Sequence, residues 1–203
     1  MKKIVIILLT TVLFFSCGDY KPLAGGSPIA IMTLVNDATW EYVKEDLTKK
    51  VEYEIRTPQI EQQFYFSRFE LENYKEYRDD KLILLMATLD GKDEISTFIQ
   101  NSISDDIRSK VQAGERMFYY EYNKYADRQT YMLLLANTKE ELLEYIRENG
   151  SQVYQAINHG FLSSQFEQLY HTAEEKEISN EIYEKFGFSL RLPHDYEILE
   201  IDS

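Results

Sequence analysis

Apolar side chains along the chain fall into runs, alternations and a three-to-four-residue recurrence. Residues 29–35 form a run of strand length, mostly β-branched or aliphatic. Asn36 and Asp37 follow, and either side chain can cap a helix. Trp40, Val43, Leu47 and Val51 then recur at helical spacing, so the stretch reads as strand, tight connection and amphipathic helix. Residues 51–55 begin an extended segment, and 64–69 read as another. Residues 74–80 are polar and read as a loop. Residues 81–89 are apolar on both faces, as suits a strand inside a covered sheet. Asp90-Gly91 is a turn signal. Ile95, Phe98, Ile99 and Ile103 then mark one helix face, with polar residues 104–114 as a helical extension.

The second half repeats the theme. Residues 117–122 (MFYYEY) are aromatic and strand-like, 123–128 are polar, and 130–136 (TYMLLLA) form a strand. Thr138 with Glu141 makes a capping box for the helix that follows. Leu142, Tyr145 and Ile146 give that helix its apolar side, and Gly150 is placed to stop it, with Ser151 capping the next. Val153, Ile157, Leu162, Phe166, Leu169 and Tyr170 continue the helical pattern, with a kink expected at Gly160. Residues 174–186 are one more helix. Phe188, Leu190 and Leu192 alternate as in a strand, closed by Pro193, and 196–201 read as a last edge strand. The segments "IAIMTLVNDATWEYVKEDL" and "TYMLLLANTKEELLEYIREN" echo each other as strand, Asn-containing cap and helix. This order predicts an α+β domain: an antiparallel or mixed sheet with helices mainly on one face, in a ferredoxin-like or split β-α-β layout.

The N-terminus has a different character. Lys2 and Lys3 precede residues 4–15, which are apolar except for Thr10 and Thr11, and Ser16-Cys17-Gly18 closes the run. That is the layout of an export signal. The run is too short for a membrane span, which needs about 20 apolar residues. Ser16-Cys17-Gly18 resembles the lipobox of bacterial lipoproteins, although Phe14 and Phe15 stand where other residues are usual. The resemblance implies cleavage before Cys17 and acylation of its sulfur and new N-terminus. A cleaved secreted protein and an uncleaved anchor are the alternatives. The reading divides the chain into a signal peptide (1–16), a flexible tether from lipidated Cys17 (17–28, rich in Gly and Pro) and a single domain (29–203). Cys17 is the only cysteine, so no intrachain disulfide forms.

Charge narrows the partners. The chain carries 22 basic and 35 acidic residues. Without Lys2 and Lys3 the remainder has net charge −15. This argues against nucleic acid, whose binding rests on Lys and Arg neutralising phosphates. It also argues against a basic patch on anionic headgroups. The partners expected are therefore the lipid bilayer, through acylated Cys17, and an envelope protein or glycan. Gly18-Asp19 starts no long acidic run of the kind that resembles a surface-export signal. The expected location is the outer membrane, facing the periplasm.

Candidate chemistry is sparse. His159 and His171 lie about 120° apart around a helix and share no face, and His194 lies beyond it, so no metal site is assigned. No Gly-x-Ser-x-Gly elbow and no phosphate-cradling glycine loop is present, and no cofactor is assigned. The acid pairs Asp79-Asp80, Asp105-Asp106 and Glu174-Glu175 are the only basis for a glycan hydrolase, the alternative reading. The most unusual stretch is "MFYYEYNKYADRQTY". Tyrosine offers rigid contact area with a polar tip, which makes Tyr119, Tyr120, Tyr122 and Tyr125, with Trp40, a candidate binding surface. The competing reading gives alternate tyrosines to the core and makes Trp40 a helix anchor.

"SPIAIMTLVNDATW", "RQTYMLLLANTKEELLEYIRENG" and "IYEKFGFSLRLPHDYEI" together resemble a family of uncharacterised bacterial lipoproteins classed as a domain of unknown function. Members are usually longer, which makes this chain a short or truncated member, and often Arg-rich where this chain reads "INHGFLSSQFEQLYH". The resemblance implies an envelope lipoprotein and carries over no catalytic residue. The expected function is a membrane-anchored, non-enzymatic binding or interaction module.

Overall fold

A computed structural model describes residues 20–56 and 58–197. Cys17 and the expected signal segment lie outside the described residues, as does most of the edge strand expected at 196–201.

The first strand, β1 (Ala30–Leu34), leads into α1 (Asp37–Val51). Asn36 keeps extended backbone and its side chain accepts the Thr39 N–H at 2.8 Å, the N-cap expected of it. An exposed hairpin, β2 (Glu54–Arg56) and β3 (Ile60–Gln62), stands apart from the main sheet. The chain re-enters the sheet as β4 (Tyr65–Arg68). Residues 74–80 are not wholly loop, because Tyr74–Tyr77 form one helical turn, α2. Its Tyr74 and Tyr77 pack against the lower core. Next come β5 (Leu82–Thr88), α3 (Glu94–Ser102) and α4 (Asp105–Gln112). The helical extension expected after Ile103 is a separate helix with its own cap, Ser104. The hairpin β6 (Phe118–Tyr122) and β7 (Thr130–Ala136) precedes the long α5 (Lys139–Tyr170), and α6 (Lys176–Phe186) comes last.

The main sheet is mixed, with order β4-β1-β5-β7-β6. Four neighbours run parallel, and β6 alone is antiparallel, at the edge. This corrects the ferredoxin-like expectation: the chain winds from β1 outward to β4, then back across to β5 and on to β7. Most helical residues lie on one face, in α1 and α5, as expected. The other face is covered too, by α2, α3 and α4. The cause lies in β5 and β7, every residue of which is buried. A strand without a polar side needs cover on both faces. Leu84, Met86, Met132 and Leu134 enter the core beneath α1 and α5, while Ile83, Leu85, Leu133 and Leu135 enter the core beneath α3 and α4.

Three other expectations change. Residues 22–25 are laid on the domain: Ala24 N–H donates to Asp127 O at 2.8 Å, Gly25 N–H to Asp79 O at 3.1 Å, and Lys81 N–H to Gly25 O at 3.0 Å. The segment beginning at Pro22 is therefore part of the fold and not free tether. Gly150 ends no helix, because α5 runs through it. A Cβ there would sit 2.8 Å from Lys50 Cγ, so the glycine is a notch where α5 meets α1. Phe188, Leu190 and Leu192 form no strand. That segment touches α5 instead through Arg191, whose guanidinium lies 3.9 Å from the Tyr170 ring centroid and pairs with Glu174 at 2.6 Å.

Gly160 is the tightest point of the core. A Cβ there would lie 1.8 Å from Thr130 Oγ1, on β7. The glycine is what lets α5 lie against the sheet, and no kink is needed to explain it. Gly160→Ala gains up to about 1 kcal/mol of helix propensity but overpacks the core, at about 1–3 kcal/mol. We predict a net loss of stability, read as a lower urea midpoint. An unchanged or higher midpoint would contradict this account of the packing.

Candidate functional site

A doubly wound sheet usually holds its ligand at the carboxyl ends of the strands, where the strand order reverses. Here that point lies between β1 and β5. The hollow near it, about 460 Å³, is already satisfied by its own residues. Asn36 Oδ1 and Asp93 Oδ1 cap α1 and α3. Asn36 Nδ2 donates to Asp93 Oδ2 at 3.1 Å and to Ser96 Oγ at 3.2 Å, which ties the two helix starts together. Arg68 pairs with Asp37 at 2.7 Å. The groups that would meet an anion are thus engaged.

The larger hollow is a groove of about 1210 Å³ on the opposite flank. It arises because α5 packs over β5 and β7 while β6 projects beyond it. One wall is the upper face of β6. Phe118, Tyr120 and Tyr122 alternate along the strand and so share a face. Their rings step at 5.7 and 5.5 Å, and His159 of α5 continues the row 5.3 Å from Tyr122. Phe118 is buried, whereas Tyr120 and Tyr122 are exposed. The other wall is a stripe of α5: Glu141, Glu144, Glu148, Gln152, Gln155 and His159, spaced three or four apart beside the buried stripe of the same helix. Glu141 Oε2 accepts from Asn137 N and Nδ2, at 3.2 and 2.9 Å, so the capping box reaches one residue further back than expected. Glu144 and Glu148 make no ion pair or hydrogen bond among the described residues.

The five residues expected to form one surface fall in three places. Tyr120 and Tyr122 line the groove. Tyr119 points to the other face, where Arg116 lies 4.6 Å over its ring. Tyr125 packs edge-on against buried Tyr131 on that same face. Trp40 sits beyond β1 against Phe66, with Arg68 over it. The acid pairs are equally dispersed. Asp80 cups Gly26, Asp106 pairs with Lys110, and Glu174 pairs with Arg191. The groove's acidic wall was missed in the sequence, although its signal is there. Glu141, Glu144 and Glu148 recur at helical spacing one step round from Leu142 and Ile146.

Burial raises tyrosine phenols on both faces of the sheet. In the groove, partial burial pushes the Tyr122 phenol up, and Tyr120 beside it adds to the shift. On the other face, burial pushes the Tyr131 phenol well above its ordinary range, with neighbouring Tyr74 adding to the effect. Tyr74 is itself pushed up to about 12, chiefly by burial.

The fold and the groove together define a three-layer α/β/α domain, doubly wound, with an open trough beside its antiparallel edge strand. Residues 24–170 match a family described as Domain of unknown function (DUF8532), and the chain belongs to that family. No curated protein and no solved structure matches the chain. The matched span runs from the docked N-terminal segment to the end of α5, so it contains the whole sheet and both walls of the groove.

Raised tyrosine values carry a pH signature. The unfolded phenol ionises near pH 10, and the folded Tyr74 only at about 12. The unfolded state therefore loses protons first, and the stabilisation, complete below about pH 10, declines as pH rises above it. We predict that the urea midpoint falls between about pH 10 and 12, and that Tyr74→Phe makes the fall shallower. An equally steep fall in Tyr74→Phe would show that other groups govern it.

Proposed function

We propose that this protein is an envelope lipoprotein, anchored through acylated Cys17 at the outer membrane and facing the periplasm. Its domain is a non-enzymatic binding module that engages its partner in the groove between β6 and α5. The observation that carries the binding reading is the groove itself: an open hollow of about 1210 Å³ with a row of aromatic rings along one wall, two of them exposed tyrosines. Exposed tyrosines beside unpaired carboxylates suit a ligand with both apolar surface and hydrogen-bonding or cationic groups. The anchor reading rests on Ser16-Cys17-Gly18 after the apolar run. More than one acyl chain on Cys17 gives stable attachment, where a single chain would bind only reversibly.

Two outcomes test this reading. Cys17→Ala abolishes fatty-acid labelling and releases the chain from the membrane fraction; a variant still labelled and membrane-bound refutes the anchor. For binding, the mature acylated protein in detergent is applied to peptide and glycan arrays. Truncating a central interface tyrosine costs about 2 kcal/mol or more, so Tyr120→Ala with Tyr122→Ala weakens any signal by more than about tenfold under conditions where urea melts show the variant still folded. Equal signals from variant and parent would remove the groove from the binding reading.

A further inference from the structure

β6 is the edge of the sheet, and the direction of its backbone groups follows from its register. Leu135 N–H donates to Met117 O, and Asn123 N–H donates to Gln129 O. In an antiparallel pair the bonded positions alternate. Tyr119 and Glu121 therefore spend their N–H and C=O groups on β7, opposite Leu133 and Tyr131. Phe118, Tyr120 and Tyr122 turn theirs outward. Arg116 Nε donates to the Phe118 carbonyl at 3.0 Å, which confirms that this carbonyl faces away from β7 and closes it to a visitor. The N–H and C=O groups of Tyr120 and Tyr122 form the remaining open ladder.

The same two residues carry the exposed rings of the groove. A strand laid beside β6 would lie about 4.8 Å away. Its alternate side chains would rise next to Tyr120 and Tyr122, on the side where Glu144 and Glu148 stand one turn apart on α5. Both carboxylates are exposed and unpaired among the described residues, and Glu115 adds a third at the groove's end. Among the described residues the groove's one Lys or Arg, Arg116, is held at Phe118 O and over Tyr119.

We propose that β6 accepts an extended segment of a partner protein as a sixth strand, and that this segment carries Lys or Arg at alternate positions facing Glu144 and Glu148. This deepens the binding reading above and rests on it. Strand addition supplies affinity through main-chain hydrogen bonds and specificity through alternate side chains. A second copy of this chain is the wrong occupant, since pairing two β6 edges would bring two acidic rows together. A glycan would use the tyrosine rings but not the open ladder.

The test uses the mature acylated protein in detergent, with a short capped peptide alternating Thr and Lys as the probe. Its comparators are the Thr–Glu counterpart, the Thr–Lys peptide N-methylated on alternate amides, and a chito-oligosaccharide. The expected result is binding of the Thr–Lys peptide alone, weakening with salt. Exchange of the Tyr120 and Tyr122 amides slows, while that of Tyr119 and Glu121 is unchanged. Glu144→Gln with Glu148→Gln weakens binding about tenfold without moving the urea midpoint. Equal binding of the N-methylated peptide overturns strand addition, and so does dimerisation through β6. Binding of the oligosaccharide alone overturns the inference and leaves the groove as a binding site. Binding of no probe overturns both.

Discussion

Everything distinctive in this molecule follows from two strands that have no polar face. β5 and β7 lie side by side in register from Leu82–Thr130 to Thr88–Ala136, and all fourteen residues are buried. Such a pair must sit between two apolar layers, so the short helices α3 and α4 are as necessary as the long ones. The same pair draws α5 down until Gly160 touches Thr130. A helix held that close to β7 covers β6 only in part: Tyr122 meets His159 and lies beside Gly160, whereas Tyr120 stays exposed. The groove is the space left by that choice. The hairpin that delivers β6 is pinned from beneath by Gln129, buried at 1% exposure. Its amide donates to Arg78 O and Asp80 O and accepts the Tyr125 N–H. Each of those buried polar groups is thereby satisfied within one side chain's reach.

Local pattern made the sheet strands and helix starts legible, because each depends on neighbours in sequence. The runs at β1, β5 and β7, the Asn36 cap and the Thr138 cap lie where periodicity and capping chemistry put them. Strand order is different in kind. Nothing in the spacing of β1, β4 and β5 says that β1 stands between the other two. Even so, apolarity on both faces of residues 81–89 contained the argument against a one-sided sheet. The glycines misled for a related reason. Gly150 and Gly160 have the local profile of a stop and a kink, yet both are notches filled by Lys50 and Thr130. The Gly- and Pro-rich segment after Cys17 reads as free chain, but its backbone finds partners at Asp79 and Asp127. Tertiary contacts outweighed propensity in every one of these places.

The candidate site was half legible. Its aromatic wall is the most conspicuous run in the sequence, and the pleat sorts it. Even-numbered residues of β6 face the groove, and odd-numbered ones face Arg116 and Tyr131. Its acidic wall lies some twenty residues further on in a helix whose charges look like an ordinary solvated face. Only the approach of α5 to β7 turns that face into a wall. Neither half alone distinguishes a binding surface from a covered one.

Charge also resolves an apparent hazard. An open strand edge with exposed rings invites self-association, and proteins commonly guard such edges with charge. Here Glu144 and Glu148 line the groove beside that strand, and the chain as a whole is strongly acidic, at net −13. Two copies approaching through β6 would meet like charge at short range and in the long-range field alike. A basic segment meets the opposite sign on both scales. Under the strand-addition proposal, the acidity that would oppose a second copy is the same property that would favour a cationic strand.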